Sequence, residues 1–167
     1  LEVSSLGPEG YTGSYTLSLD LTSQRTDLID GKEPLQFVID FMNDAYDAEI
    51  LSLRTLNFSH SASYYSGQLL GDVQSAVFSL AEAGQYVEAR FDSAAWHLSE
   101  VRVIDANLIR VDSCEWWSNT WFRVSDNAFI DSEPSHLIPQ TLTLERLATG
   151  WFMTTAIHFD PPHFCSG

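Results

Sequence analysis

The sequence predicts an α+β domain, with two or three helices packed on a curved antiparallel sheet, and three observations carry that expectation. Apolar residues recur at helical spacing through roughly the first half, the period switches to two from Gln85 onward, and turn residues punctuate the second half at hairpin-like intervals. Helices first and hairpins after are the pattern of helices set against an antiparallel sheet.

Residues 1–34 contain a Gly/Ser-rich opening and the alternating run Tyr15, Leu17, Leu19, Leu21. Period two marks a half-buried strand, so this segment reads either as an added edge strand or as an extended lead-in to a single domain over 35–167. Pro34 suits a first helical turn, where its missing N–H costs nothing. Leu35, Val38, Ile39, Met42 and Tyr46 follow at helical spacing, with Asp40, Asp44 and Asp47 on other faces, which predicts an amphipathic helix of about four turns. A short connection through Leu53, Leu56 and Phe58 then leads to Tyr64 and Tyr65. Leu69, Leu70, Val73, Val77, Leu80 and Ala81 trace a second stripe, and Gly84 stands where a left-handed helix end belongs.

Strands are expected near 86–91, 96–104, 108–118, 121–125, 137–146 and 151–159. Asp105-Ala106-Asn107 and Ala148-Thr149-Gly150 close hairpins, and Ser125-Asp126-Asn127 starts a loop.

The chain has 167 residues, 44% of them hydrophobic and 13% aromatic, enough apolar bulk for one core and against global disorder. Its net charge is -15, from 23 acidic and 8 basic residues, and the basic residues are scattered. Phosphate binding needs a concentrated positive surface, so nucleic acid is not an expected partner, and neither is an anionic membrane surface. No apolar stretch approaches the roughly 20 residues of a membrane span, so no direct membrane insertion is expected. Leu1 is not an initiator Met, which fits a piece of a larger exported or membrane-anchored parent in an extracytoplasmic location. Cys114 and Cys165 are too few for a disulfide scaffold and lack metal-site spacing. They either pair, stapling the C-terminal tail to a strand in an oxidising compartment, or remain two reduced thiols.

Several segments carry a resemblance to a known family. Tyr64-Tyr65-Ser66-Gly67-Gln68-Leu69-Leu70 opens a helix and Gly84-Gln85-Tyr86 opens a strand. Val111-Asp112-Ser113-Cys114-Glu115-Trp116-Trp117-Ser118, Pro139-Gln140-Thr141-Leu142-Thr143-Leu144-Glu145-Arg146 and Gly150-Trp151-Phe152 follow. Together, over roughly residues 35–165, they resemble the nuclear transport factor 2-like superfamily. Within it the chain is most similar to the intermembrane-space-type domain of chloroplast and cyanobacterial division proteins and to related bacterial domains. The resemblance implies helices covering a strongly bent sheet around a conical cavity, a bacterial source, and a non-enzymatic domain that binds a protein partner. The superfamily also contains isomerases and dehydratases, so the fold leaves function open.

Strand alternation narrows the search for chemistry. Ile109, Val111, Ser113, Glu115 and Trp117 share one strand face, which puts a carboxylate among apolar neighbours. Glu115 then either anchors a pocket or acts as a base, or else pairs across the sheet with Arg123 or Arg90. His97 alternates with Val101 and Val103, which makes it either a hydrogen-bonded core histidine or a partner for Glu115. The candidate pocket residues are Tyr65, His97, Glu115, Trp117 and Gln140. No residue is assigned as catalytic; in an enzyme, Glu115 and His97 would carry the chemistry.

His158, Asp160, His163 and Cys165 match no zinc signature, so no metal is expected, and the absence of phosphate, calcium or nucleophile-elbow motifs implies no cofactor. Trp116 and Trp117, being adjacent, must face opposite ways. An outward Trp beside Trp121 would form a patch for a protein partner or a homodimer through the sheet face, or would lie flat beneath a loop. The first reading is a non-catalytic ligand- or protein-binding or assembly domain. The alternative is a small-molecule isomerase- or dehydratase-like enzyme with a Glu/His pair in the cavity.

Overall fold

The computed structural model describes residues 28–92 and 95–165, and the backbone of 2–3 and 15–19. Helix α1 spans Pro34–Thr55, a 3-10 helix Phe58–Ser63, and α2 Gly67–Glu82. A seven-stranded sheet is built from β1 (Glu2–Val3), β2 (Tyr15–Leu19), β3 (Gln85–Phe91), β4 (His97–Asp105), β5 (Leu108–Arg123), β6 (Phe129–Leu147) and β7 (Gly150–His158). This is the expected α+β arrangement, with the helices on the concave face of a strongly curled sheet.

Pro34 opens α1, and Phe37, Val38, Ile39, Met42, Ala45 and Tyr46 form its buried stripe. The helix has 22 residues, about six turns where about four were expected. Glu49 and Leu53 prolong the stripe of Tyr46 at i+3 and i+7, and the helix ends only at Leu56, left-handed at φ 55°. There the buried hydroxyls of Ser52 and Ser61 lie 2.8 Å apart and tie the end of α1 to the 3-10 helix. The next helix, α2, buries Val73 and Val77, and Gly84, at φ 65°, ends it as expected. Packing sets α1 against β3 and α2 against β7. Among the described residues, no helix is long and apolar enough to cross a membrane.

The spine of the sheet is β5. Its first half pairs with β4 and its second half with β3, end to end on one side, while β6 runs along the other. Two strands were expected over 108–118 and 121–125, but one continuous strand forms. Asn119 and Thr120, read as an interruption, are paired on both sides, with Ala89 and Glu88 of β3 and with Glu133 and Ser132 of β6. For its part, β6 starts at Phe129 and not near Leu137, accommodating Pro134 at a register shift opposite Ser118. On the other side of β4 from β5, β2 pairs in parallel, Leu17 opposite Val101, and β1 pairs antiparallel with β2 beyond it; Leu21 lies outside the described residues.

Cys114 and Cys165 form a disulfide, with Cα atoms 5.6 Å apart, and strap the C-terminal 3-10 helix His163–Cys165 to the outer side of β5. The tail is also held by the Phe159 N–H, which donates to the Pro139 carbonyl at 2.9 Å.

Candidate functional site

A cavity of about 550 Å³ opens between the helices and the inner face of the sheet. Its central polar group is Glu115. The strand β5 alternates as expected, so Ile109, Val111, Ser113 and Glu115 all turn inward, and Glu115 is 1% exposed. Tyr46, projecting from the stripe of α1, donates its hydroxyl to Oε1. Ser113 Oγ donates to the same oxygen at 2.8 Å and itself accepts from Trp96 Nε1 at 2.9 Å. Trp117 Nε1 donates to Oε2 at 2.9 Å, and the Gln140 side chain supplies a further hydrogen bond. A carboxylate has about four lone-pair sites, and four donors converge on this one.

Just under one helical turn beyond Tyr46 on α1 stands a second carboxylate, Glu49. Glu49 Oε2 accepts from the Tyr65 hydroxyl at 2.6 Å, its one hydrogen-bond partner among the described residues. Burial pushes the pKa of both carboxyls above the ordinary glutamate range. The donors of Glu115 oppose that rise, whereas the charge of Glu115 adds to it at Glu49. Glu49 is only partly buried, because the open side of the cavity reaches it. Burial, together with the neighbouring carboxylates, also pushes the Tyr46 and Tyr65 hydroxyls well up, so both remain protonated donors.

No described lysine or arginine lines the cavity. Glu115 does not pair with Arg123 or Arg90 across the sheet: Arg123 binds Asp126 at 3.0 Å, and Arg90 is exposed beside Ala89, whose face is the one that looks inward. Lys32, Arg54, Arg102 and Arg146 are likewise held at other carboxylates, on Asp40, Glu88, Asp112 and Asp30.

Of the five residues singled out from sequence, the fold brings Tyr65, Glu115, Trp117 and Gln140 together on the cavity wall and leaves His97 out. The reason is a register shift in β4 between Leu98 and Glu100. Simple alternation puts His97 on the face of Val101, but the irregularity gives the inward positions to Leu98 and Val101. His97 instead stands opposite Cys114 on the outer side, its Nδ1 3.4 Å from the Ala95 carbonyl oxygen. The expected Glu115–His97 pair does not form.

Trp116 and Trp121 do not share an outer patch either. The ladder to β3 is unbroken from Gln85 to Phe91, so Trp121 falls on the same face as Asn119 and Trp117, opposite to Trp116. The disulfide removes Cys165 from its neighbours His158, Asp160 and His163, and the His163 ring stacks on Phe159 at 4.2 Å. No group of three or more metal-ligating side chains occurs among the described residues.

Two acidic residues and two histidines of the cavity were not placed in the pocket from sequence: Glu49, Asp72, His136 and His158, the last weighed there only as a metal ligand. Glu49 was legible as the i+3 continuation of Tyr46, and Asp72 stands four residues after Gln68 and four before Ala76 on one side of α2. His136 continues the alternation of Gln140 and Ile138 along β6 once that strand is extended. His158 depends on a register shift at Thr154, which turns Ala156 and His158 to the same wall as Met153, and nothing in the sequence marks that shift.

By sequence, no protein family and none of the curated proteins matches this chain. By structure, the intermembrane-space region of the chloroplast protein ARC6 is similar with a TM-score of 0.62 at 12% identity, over 74% of this chain and 95% of that one. A putative dehydratase of the NTF2-like family from Streptomyces avermitilis gives 0.47 at 12% identity, over 74% and 96%. A ketosteroid isomerase-like protein from Erwinia carotovora atroseptica gives 0.40 at 14% identity, over 73% and 96%. The likeness to the ARC6 region shows for this chain the fold expected from the sequence resemblance, helices covering a strongly curled sheet.

Proposed function

Starting from a nuclear transport factor 2-like fold with an open, acidic cavity, we propose that this chain is a non-catalytic domain that binds a small ligand between α2, α1 and the inner face of the sheet. The observation that carries the reading is the saturation of Glu115. A general base needs a free lone pair aimed at the proton it removes, and here Tyr46, Ser113, Trp117 and Gln140 take those positions. The network fixes the wall of the pocket and leaves the volume in front of it for a ligand. A cavity of about 550 Å³ falls in the range of small-molecule sites. The disulfide supports placing the domain in an oxidising, extracytoplasmic compartment, as part of an exported or anchored parent.

The test is a fragment screen by ligand-observed NMR on the wild type and on Ala156→Trp, which fills the cavity from β7. Fragments that bind the wild type and are lost in the folded variant support the reading; identical hits on both would overturn it.

One observation favours an enzyme as the second reading. Glu49 is a carboxyl with a raised pKa and one donor among the described residues, beside a protonated tyrosine, in a partly desolvated cavity. Carbonyl-containing hits incubated in D2O distinguish the two: a binding domain leaves their α-protons in place, whereas exchange abolished by Glu49→Gln would make this an acid/base catalyst.

A further inference from the structure

Taking the cavity as a ligand site, we infer that its ligand is a small, partly apolar organic cation, such as a protonated primary amine, anchored on Glu49. Glu49, Asp72 and Glu115 line the cavity from three different elements, no described lysine or arginine does so, and the described cations that form ion pairs do so elsewhere. An anionic ligand would enter against an uncompensated negative field inside low-dielectric walls, and a cation would enter along it.

The hydrogen-bonding positions point the same way. Glu115 is saturated, but Glu49 Oε1 has no protein donor among the described residues, so the cavity's carboxylates leave an acceptor free. Tyr46 and Tyr65 already donate their hydroxyls inward to the carboxylates. A ligand that brings N–H donors and positive charge completes the wall, and one that brings only acceptors does not.

The remaining lining decides between an inorganic and an organic cation. Leu53, Leu69, Val73, Ile138, Leu142 and Met153 surround the carboxylates, and no metal-ligating group of three forms among the described residues. A divalent ion needs several oxygens at short range. An ammonium on a hydrocarbon or aromatic body needs one carboxylate and an apolar wall, which is what this cavity provides.

Three probes of matched size test the inference by calorimetric or NMR titration: 2-phenylethylammonium, 2-phenylethanol and phenylacetate. The ammonium is expected to bind about tenfold more tightly than the alcohol, with phenylacetate weakest. Glu49→Gln should bring the ammonium to within about twofold of the alcohol while alcohol binding persists. If the alcohol or phenylacetate binds as well as the ammonium, or if folded Glu49→Gln keeps the full preference, the inference is overturned and the ligand site stands. If none of the three binds the wild type, both fall. Should thermal melting show Glu49→Gln unfolded, Asp72→Asn, at an exposed position on the cavity mouth, takes its place: a narrowed ammonium preference is expected, and an unchanged one would overturn the inference.

Discussion

At the residue scale, Glu115 joins the core to the site. It is buried, so folding must desolvate it, and four side-chain donors from α1, β5 and β6 offset that cost. Because burial raises its pKa in the folded chain, the folded state holds the proton more tightly than the unfolded one. Its contribution is therefore fully present below the ordinary glutamate value of 4.5 and is lost as pH rises through the raised folded value. The same direction holds for Glu49. Glu115→Gln, which cannot ionise, should cost about 1–3 kcal/mol at low pH through mispaired donors, and should flatten the fall in urea midpoint as pH rises. Parallel midpoint-against-pH curves for the two proteins would contradict this. Comparing the two cancels the self-repulsion of the strongly acidic surface, which both share.

Residue alternation made Glu115 and Trp117 legible in the sequence, because β5 keeps strict period two over 109–117. His97 was misplaced for the complementary reason: a register shift between Leu98 and Glu100 reverses parity, and irregularities of this kind have no compositional mark there.

At the element scale, the period switch at Gln85, the hairpin turns and Gly84 located the elements, since each rests on local chemistry. What the sequence concealed were continuations. The end of α1 is set by tertiary ties such as the Ser52–Ser61 contact, and β5 runs through Asn119 and Thr120 because β3 and β6 pair them on both sides. Glu49 was missed through the first of these, as it lies on the added length of α1. The disulfide is the element-scale feature with the clearest separate consequence. Cys114 belongs to the outer side of β5, whereas Ser113 and Glu115 on either side of it turn to the inner face, where Glu115 lines the cavity. Replacing both cysteines by serine should lower stability by about 2–4 kcal/mol, read from urea unfolding, because the bridge closes a loop over a separation of 51 residues. Ligand binding at low temperature should be unchanged in the same variant, since the inner wall does not depend on the strap. Loss of binding with stability intact would show that the tail shapes the cavity.

At the scale of the whole molecule, one curved sheet divides its labour between two faces. The inner face builds a core at one end and a cavity at the other, and the outer face carries the disulfide strap and the ion pairs of Arg102 with Glu100 and Asp112. The cavity holds carboxylates without a lysine or arginine counter-charge among the described residues, in a chain whose basic residues are few. The most direct measurement is an amide and indole NH correlation spectrum of the protein titrated with 2-phenylethylammonium. The indole N–H of Trp117 is bonded to Glu115 inside the cavity, and Trp116 next to it faces the opposite side of the same strand. The predicted result is a saturable shift of the Trp117 indole, together with the Gln140 side-chain amide and the Glu49 backbone, while the Trp116 indole stays still. Shifts at Trp116 and along the outer face, with Trp117 unmoved, would contradict a ligand site in the cavity.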